Sequence, residues 1–124
     1  MAAQDLDVLI VDDHEGMRAM LRKMLERAGV GAVRDAASGA AALALLAARD
    51  ADLVLCDQTM PEMDGLSFLR AARAAGSQAR AIVISGRDDA GFADEARAAG
   101  AATVLVKPVS PRDVLAAIER VLAR

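Results

Sequence analysis

Short apolar runs alternate along this chain with longer segments that mix apolar and charged residues. Five of the runs predict β-strands, because they are four or five residues long and most are rich in β-branched residues. They are "DVLIV" from Asp7, "GAVRD" from Gly31, which is the weakest, "LVLC" from Leu53, "AIVIS" from Ala81 and "TVLV" from Thr103. The near-continuous apolarity of these runs indicates strands that are covered on both faces.

The segments between the strands have helical spacing. The first places apolar side chains on one helix face, at Met17, Met20, Leu21, Met24, Leu25 and Ala28. Gly29 ends this helix, and we expect its basic face to be a solvated surface, as we do for Arg70, Arg73 and Arg80. Four further helices are predicted from spacing and capping residues: Ser38 to about Ala48, Leu66 to Ala75, Ala90 to Ala99, and Ser110 with Pro111 to Arg124.

The order of these elements is five βα units in succession. Such an order predicts an α/β protein with a doubly wound parallel sheet and right-handed crossovers. We expect the whole chain, residues 1–124, to form one domain, because this length suffices for a single buried core. Sheets of this kind bind ligands beyond the carboxyl ends of their strands.

Composition excludes several classes of function. Lys plus Arg number 15 and Asp plus Glu 18, so the net charge of −3 gives no footprint for general nucleic-acid binding. The single cysteine, Cys56, cannot form an internal disulfide, and we expect it to be a buried strand residue. The sequence shows neither a signal peptide nor an apolar run long enough to cross a bilayer. We therefore expect a cytoplasmic protein without membrane insertion.

Polar residues follow four of the five predicted strands. Asp12 and Asp13 follow the first strand, Asp57 the third, Ser85 the fourth and Lys107 the fifth. Taken singly, each has a structural explanation, since acids cap helices or end strands and serine or lysine is common in loops. The carboxyl ends of parallel strands meet at one edge, so all five side chains are expected on the same rim. Their joint position favours a functional site.

Three carboxylates at this rim require compensation. Within a few ångströms of one another they repel by roughly several kcal/mol, which a hard divalent cation relieves. Mg²⁺ fits, because it takes carboxylate oxygens, waters and phosphate oxygens as ligands. Lys107 and Ser85 then suit additional phosphoryl oxygens, and an aspartate can itself attack phosphorus to give an acyl phosphate.

Four segments carry a resemblance to a known family: "LIVDDHEGMR", "LCDQTMPEMDG", "VISG" and "LVKP". Together they resemble the receiver domain of bacterial two-component response regulators, from the first strand to the last helix. They are most similar to single-domain receivers of the chemotaxis-regulator type. The resemblance implies a flavodoxin-like (βα)5 sandwich whose five-stranded parallel sheet has the order 2-1-3-4-5.

The resemblance also implies roles for the rim residues. Asp57 is expected to accept a phosphoryl group, whose oxygens Ser85 and Lys107 bind, and Pro108 to follow a cis peptide. The implied ligands of Mg²⁺ are Asp12, Asp13, Asp57 and the backbone carbonyl of Thr59. Such a domain catalyses its own phosphorylation and dephosphorylation without being a turnover enzyme.

Partners follow from the same resemblance. The implied phosphodonor is a sensor histidine kinase, a phosphotransfer protein or a small acyl phosphate. The implied output is binding of a protein target at the surface of the fourth helix, fifth strand and fifth helix. We expect a stand-alone monomeric receiver with no output domain, with dimerisation on phosphorylation as an alternative. Two alternatives stay open. The chain could be a docking module that works without phosphorylation, or the excised N-terminal receiver of a larger regulator.

Two positions depart from the family's usual pattern or add to it. Val104 stands where the family often has an aromatic residue or histidine, so it has no ring to move on phosphorylation. We predict that residues 86–96 form the switch instead, with Phe92 as the nearby ring. His14 follows the acid pair, but a single histidine without metal-type spacing predicts no ligand or base role.

Two other classes of protein also place chemistry at strand ends. A haloacid-dehalogenase-like phosphatase needs a second aspartate two positions after the nucleophile, and that position is Thr59. A nucleotide-binding Rossmann domain needs a glycine-rich turn after its first strand, where this chain has "DDHEG". Both classes are disfavoured.

Overall fold

The computed structural model describes residues 2–123, which contain one five-stranded sheet. Its strands are Asp7–Val11 (β1), Ala32–Ala36 (β2), Leu53–Asp57 (β3), Arg80–Ser85 (β4) and Thr103–Val106 (β5). All neighbouring strands are parallel, in the order β2-β1-β3-β4-β5, so the predicted doubly wound sheet is confirmed. The weakest predicted strand is present but displaced by one residue, and β3 includes Asp57 itself.

Five α-helices connect or follow the strands: Glu15–Arg27 (α1), Gly39–Ala48 (α2), Gly65–Ala74 (α3), Ala90–Ala99 (α4) and Pro111–Leu122 (α5). A side chain accepts a backbone N–H of the first turn in all but α1, with Ser38, Asp64, Asp89 and Ser110 as the capping residues. These bonds satisfy donors that have no partner inside the helix. Helix α5 ends at Leu122, and Arg124, its predicted end, lies outside the described residues. None of the helices within residues 2–123 is both long and apolar enough to span a membrane.

The hydrophobic core lies on both sides of the sheet. Successive strand residues point to opposite faces, so Val8 and Ile10 of β1 pack with α1 and α5, while Leu9 and Val11 pack with α2, α3 and α4. Both core layers are made of buried aliphatic side chains, and both phenylalanines lie in the layer beneath α2, α3 and α4. The three central strands, β1, β3 and β4, are covered on both faces, and the candidate site forms beyond the carboxyl ends of the strands.

Three of the basic residues that were expected to be solvated make structural contacts instead, whereas Lys23, Arg27 and Arg70 are exposed as expected. On α1, Arg22 donates to Asp35 of β2 at 2.6 Å, and Arg18 lies 3.6 Å from the same carboxylate. On α3, Arg73 donates to the carbonyl of Gly100 at 2.8 Å and therefore ties α3 to the end of α4. These arginines fix helices to the sheet or to each other, so they are not a free docking surface.

Candidate functional site

The structure gathers the predicted acids at one edge of the sheet. Asp12 follows β1 and Asp57 is the last residue of β3, and these two strands are neighbours in parallel register. One oxygen each from Asp12, Asp13 and Asp57, together with a ring nitrogen of His14, lie within 4.8 Å of one another. The predicted convergence of the three carboxylates is therefore present in the structure.

Asp57 is the most deeply placed acid of this cluster. Its side chain is 1% exposed, and its Oδ1 lies 2.7 Å from Nζ of Lys107. No donor within residues 2–123 makes a well-aligned hydrogen bond to either Asp57 oxygen, so the Lys107 contact is an ion pair. Burial raises the pKa of Asp57, and the Asp12 and Asp13 charges raise it further, while the Lys107 ammonium holds it down.

Asp12 and Asp13 do not act as ordinary helix caps. The residue at the N-terminal cap of α1 is His14, and no side chain caps the first turn from that position. Asp12 Oδ1 accepts the backbone N–H of His14 at 2.8 Å, and His14 precedes the first helical residue. Asp13 Oδ1 has no hydrogen-bond donor among the described residues. The capping explanation therefore fails for both acids.

Ser85 and Lys107 complete the rim on the other side of Asp57. Ser85 is the last residue of β4, is 2% exposed, and accepts the backbone N–H of Arg87 at 3.0 Å through its Oγ. Its own O–H remains available to donate to a group at the site. Lys107 directly follows β5, and the Lys107–Pro108 peptide is cis, as the resemblance implied.

The loop after β3 is fixed against the site by backbone contacts. The N–H of Gly65 donates to the carbonyl of Gln58 at 2.9 Å, and the Gln58 side chain accepts the N–H of Leu66. A Cβ at Gly65 would lie 2.6 Å from the Asp57 carbonyl oxygen, so only glycine permits this close approach. Thr59, the expected backbone ligand, is an exposed residue of this loop, two positions after Asp57.

His14 is the site residue that the sequence did not predict. Its Nδ1 lies 3.2 Å from Oδ1 of Asp12 and 3.2 Å from Oδ1 of Asp13, although 70% of its side chain is exposed. The only sequence signal was its position directly after the acid pair. By contrast, Cys56 is buried as expected, and burial raises the pKa of its thiol, so it is no reactive group.

The donor set fits a hard divalent cation. Three carboxylates converge, and oxygens of Asp13 and Asp57 are buried without a hydrogen-bond donor among residues 2–123. Buried charged oxygens of this kind are costly unless a cation or a donor satisfies them. Oxygen ligands of this type are those that Mg²⁺ takes in proteins.

Comparisons with known proteins point to one family. The family model described as the response regulator receiver domain matches residues 8–119. The chemotaxis protein CheY of Bacillus subtilis is 38% identical over 115 residues, which are 93% of this chain and 96% of that protein.

Solved structures agree with this similarity. The chemotaxis protein CheY4 of Vibrio cholerae is 32% identical, with a TM-score of 0.88 and coverage of 94% of this chain and 98% of that one. A CheX–CheY–BeF3–Mg²⁺ complex from Borrelia burgdorferi matches with a TM-score of 0.89 at 30% identity. That match covers 96% of this chain and 90% of the other.

Proposed function

This chain belongs to the response regulator receiver family of two-component signalling, and we propose that Asp57 is its phosphoacceptor. The observation that carries the proposal is the position and burial of the Asp57 carboxylate. It lies at the end of β3 and is almost fully buried, with the Lys107 ammonium 2.7 Å from Oδ1 and no hydrogen bond to Oδ2 from a donor among residues 2–123. A carboxylate held in this way is rigid, oriented and available to attack an electrophile.

The transfer itself needs little covalent chemistry from the protein. An Asp57 oxygen forms a bond to phosphorus as the bond from phosphorus to the donor's imidazole nitrogen or acyl oxygen breaks. The donor keeps that electron pair, and the product on the protein is an acyl phosphate. In this proposal, phosphoryl oxygens are held by Lys107, which contacts Asp57, and by the hydroxyl of Ser85, which ends the neighbouring strand β4.

A cation completes the charge balance of the proposal. Asp12, Asp13 and Asp57 would hold Mg²⁺ together with the backbone carbonyl of Thr59, and the bound cation would supply positive charge near the phosphoryl oxygens. The Borrelia burgdorferi complex, which contains CheY, BeF3 and Mg²⁺, supports this ligand class for the present chain. The proposed phosphodonor is a sensor histidine kinase, a phosphotransfer protein or a small acyl phosphate.

The proposal is tested by incubating the wild-type protein with acetyl phosphate. With Mg²⁺ present, intact-protein mass spectrometry is expected to show the gain of one phosphoryl group. With excess EDTA the same protein is expected to gain none, because the three acids are then left uncompensated beside an anionic donor. If the protein stays unmodified under both conditions, and a sensor histidine kinase does not phosphorylate it either, the alternative of a docking module that works without phosphorylation is favoured.

Asp13→Asn is expected to weaken Mg²⁺ binding by at least roughly tenfold, because it removes one of three negative charges from the cluster. Isothermal titration with Mg²⁺ measures the effect. Glu15→Gln is the matched control, since Glu15 is an exposed acid in the first turn of α1 and outside the cluster. An unchanged Mg²⁺ affinity in Asp13→Asn would show that Asp13 contacts His14 but does not help to hold the cation.

We propose that the partner-binding signal passes through the loop and helix after β4. The Ser85 hydroxyl already accepts the N–H of Arg87, and the Arg87 guanidinium pairs with Asp89 at 2.8 Å and lies 5.0 Å from the centre of the Phe92 ring. Asp89 in turn caps α4 by accepting the N–H of Phe92. A shift of Ser85 toward a phosphoryl group therefore acts directly on the start of α4.

Val104 is a poor candidate for the same role. Its half-buried side chain lines a small groove of about 170 Å³ between α4 and β5, together with residues such as Ala93 and Ala102. A β-branched side chain is stiff about χ1, and its rotation buries little new surface. The switch is therefore expected at residues 86–96 rather than at position 104.

Beryllofluoride with Mg²⁺, a mimic of the phosphoryl group, is expected to shift backbone NMR signals most strongly within residues 86–96. Phe92 is a buried core residue, so replacing it with alanine would lower the free energy of unfolding by about 3–5 kcal/mol. Arg87→Ala is therefore the better probe of this switch. Arg87→Ala is expected to shrink these shifts, whereas Val104→Ala leaves them in place. Chemical-shift changes centred on Val104, with unchanged signals in the loop around Phe92, would contradict this switch.

We also propose that residues 1–124 work as one receiver domain whose output is binding to another protein. The receiver family model spans residues 8–119, and CheY of Bacillus subtilis is matched over 96% of its length. The surface formed by α4, β5 and α5 is the proposed contact for that partner.

A further inference from the structure

His14 is the one histidine of the chain, and its ring lies against the acid pair. Its Nδ1 and one oxygen each of Asp12, Asp13 and Asp57 fall within 4.8 Å of one another. An octahedral cation with ligand bonds of about 2.1 Å holds its ligand atoms about 3.0 to 4.2 Å apart. Small side-chain adjustments therefore bring all four atoms into one coordination shell.

A group of acids does not by itself make a metal site. The burial of Asp57 and the lack of hydrogen bonds to its carboxylate are a second observation that points to a bound cation. Its side chain is 1% exposed and belongs to the cluster. Neither of its carboxylate oxygens accepts a hydrogen bond from a donor among residues 2–123, although the Lys107 ammonium lies 2.7 Å from Oδ1. A buried carboxylate oxygen in this condition points to a cation that satisfies it.

The His14 ring has no other role in the described structure. The residue occupies the N-terminal cap of α1, but its side chain makes no capping bond, and serine, threonine, aspartate or asparagine would cap better. Its ring contacts are with Asp12 and Asp13. Helix capping therefore does not explain why the ring turns toward the acids.

We propose that His14 is an additional side-chain ligand of the cation, which gives the site a mixed oxygen and nitrogen donor set. This set shifts the preference of the site from Mg²⁺ toward later first-row transition ions such as Ni²⁺. Mg²⁺ selects oxygen ligands, whereas imidazole nitrogen suits the later transition metals. The inference rests on the proposed function, because it takes the cluster of Asp12, Asp13 and Asp57 as the metal site.

Metal titration of the untagged protein tests the inference. His14→Gln is expected to weaken Ni²⁺ binding by roughly 10- to 100-fold. The same substitution is expected to change Mg²⁺ affinity by less than about threefold, since Mg²⁺ depends on the carboxylates. His14 is largely exposed, so the variant is expected to fold normally. Glu15→Gln, an exposed acid next to His14, is the control and is expected to bind both ions like the wild type.

A spectroscopic measurement gives a readout that a purely structural role would not produce. Mn²⁺ bound to the wild type is expected to show nitrogen coupling in pulsed EPR, and the coupling is expected to disappear in His14→Gln. Because the chain has one histidine, its ring is the imidazole source of the signal.

Equal Ni²⁺ affinities of the wild type and His14→Gln, with no nitrogen coupling, would overturn the inference and leave His14 as a residue that only contacts the acids. In that case wild-type Mg²⁺ binding would still stand, and the proposed function with it. A wild type that binds neither Mg²⁺ nor Ni²⁺ would overturn both the inference and the proposed metal site.

Discussion

Asp57→Asn is expected to lose phosphoryl acceptance altogether. The amide has nearly the shape of the carboxylate but lacks a nucleophilic oxygen anion, so the rate from acetyl phosphate should fall by at least roughly 10³-fold. Asp57 stands at the end of β3 beside Lys107, a placement that no other acid of the cluster shares. Intact-protein mass spectrometry over a time course measures the loss.

Two controls make this result specific. Glu62→Gln removes an exposed acid from the loop after β3 and is expected to be modified like the wild type. Thermal unfolding of Asp57→Asn is expected to show a folded protein, because the substitution removes one of three mutually repelling charges. If Asp57→Asn were modified as fully as the wild type, the assignment of the phosphoacceptor would be wrong.

Lys107→Met is expected to slow phosphoryl transfer by roughly 10²-fold, the loss typical of removing one donor that stabilises developing charge. It is also expected to move the pH dependence. Burial already raises the pKa of Asp57, and Lys107 opposes that rise. Without Lys107 the pKa rises further, and because only the carboxylate attacks, the pH of half-maximal rate moves upward. Initial rates across a pH series measure both effects.

The conservative variant separates charge from packing. Lys107→Arg keeps a positive charge near Asp57 and is expected to recover part of the rate. Lys23→Met, at an exposed position on α1, is the matched control and is expected to leave the rate and the pH profile unchanged. A rate in Lys107→Met equal to the wild type would show that Lys107 contributes only to structure.

Much of the fold could be predicted from local signals in the sequence. Helix α4 and strand β5 begin and end at the predicted residues. The end of α4 was predictable because Gly100 adopts a left-handed conformation, with φ of 105°, and stops the helix. Strand β3 was predicted one residue too short, since Asp57 is polar although it is still part of the ladder. Hydrophobic runs and caps thus locate the elements, but they underestimate the length of a strand whose last residue is polar.

The convergence of the site could be predicted because it follows from topology alone. Parallel strands bring their carboxyl ends to one edge, so Asp12, Asp57 and Lys107 meet even though they are far apart in the chain. Contacts that depend on side-chain direction could not be predicted in this way. The turn of the His14 ring toward the acids, and the pairing of Arg22 with Asp35, depend on register and rotamer rather than on spacing.

The most direct test of the account is to locate the phosphoryl group on the chain. The wild-type protein, phosphorylated with acetyl phosphate and Mg²⁺, is treated with borohydride, which reduces an acyl phosphate of aspartate to homoserine, and is then mapped by peptide mass spectrometry. The proposed function predicts homoserine at position 57 alone, with Asp12 and Asp13 unmodified. Homoserine at Asp12 or Asp13, or a phosphorylated protein in which position 57 remains aspartate, would contradict it.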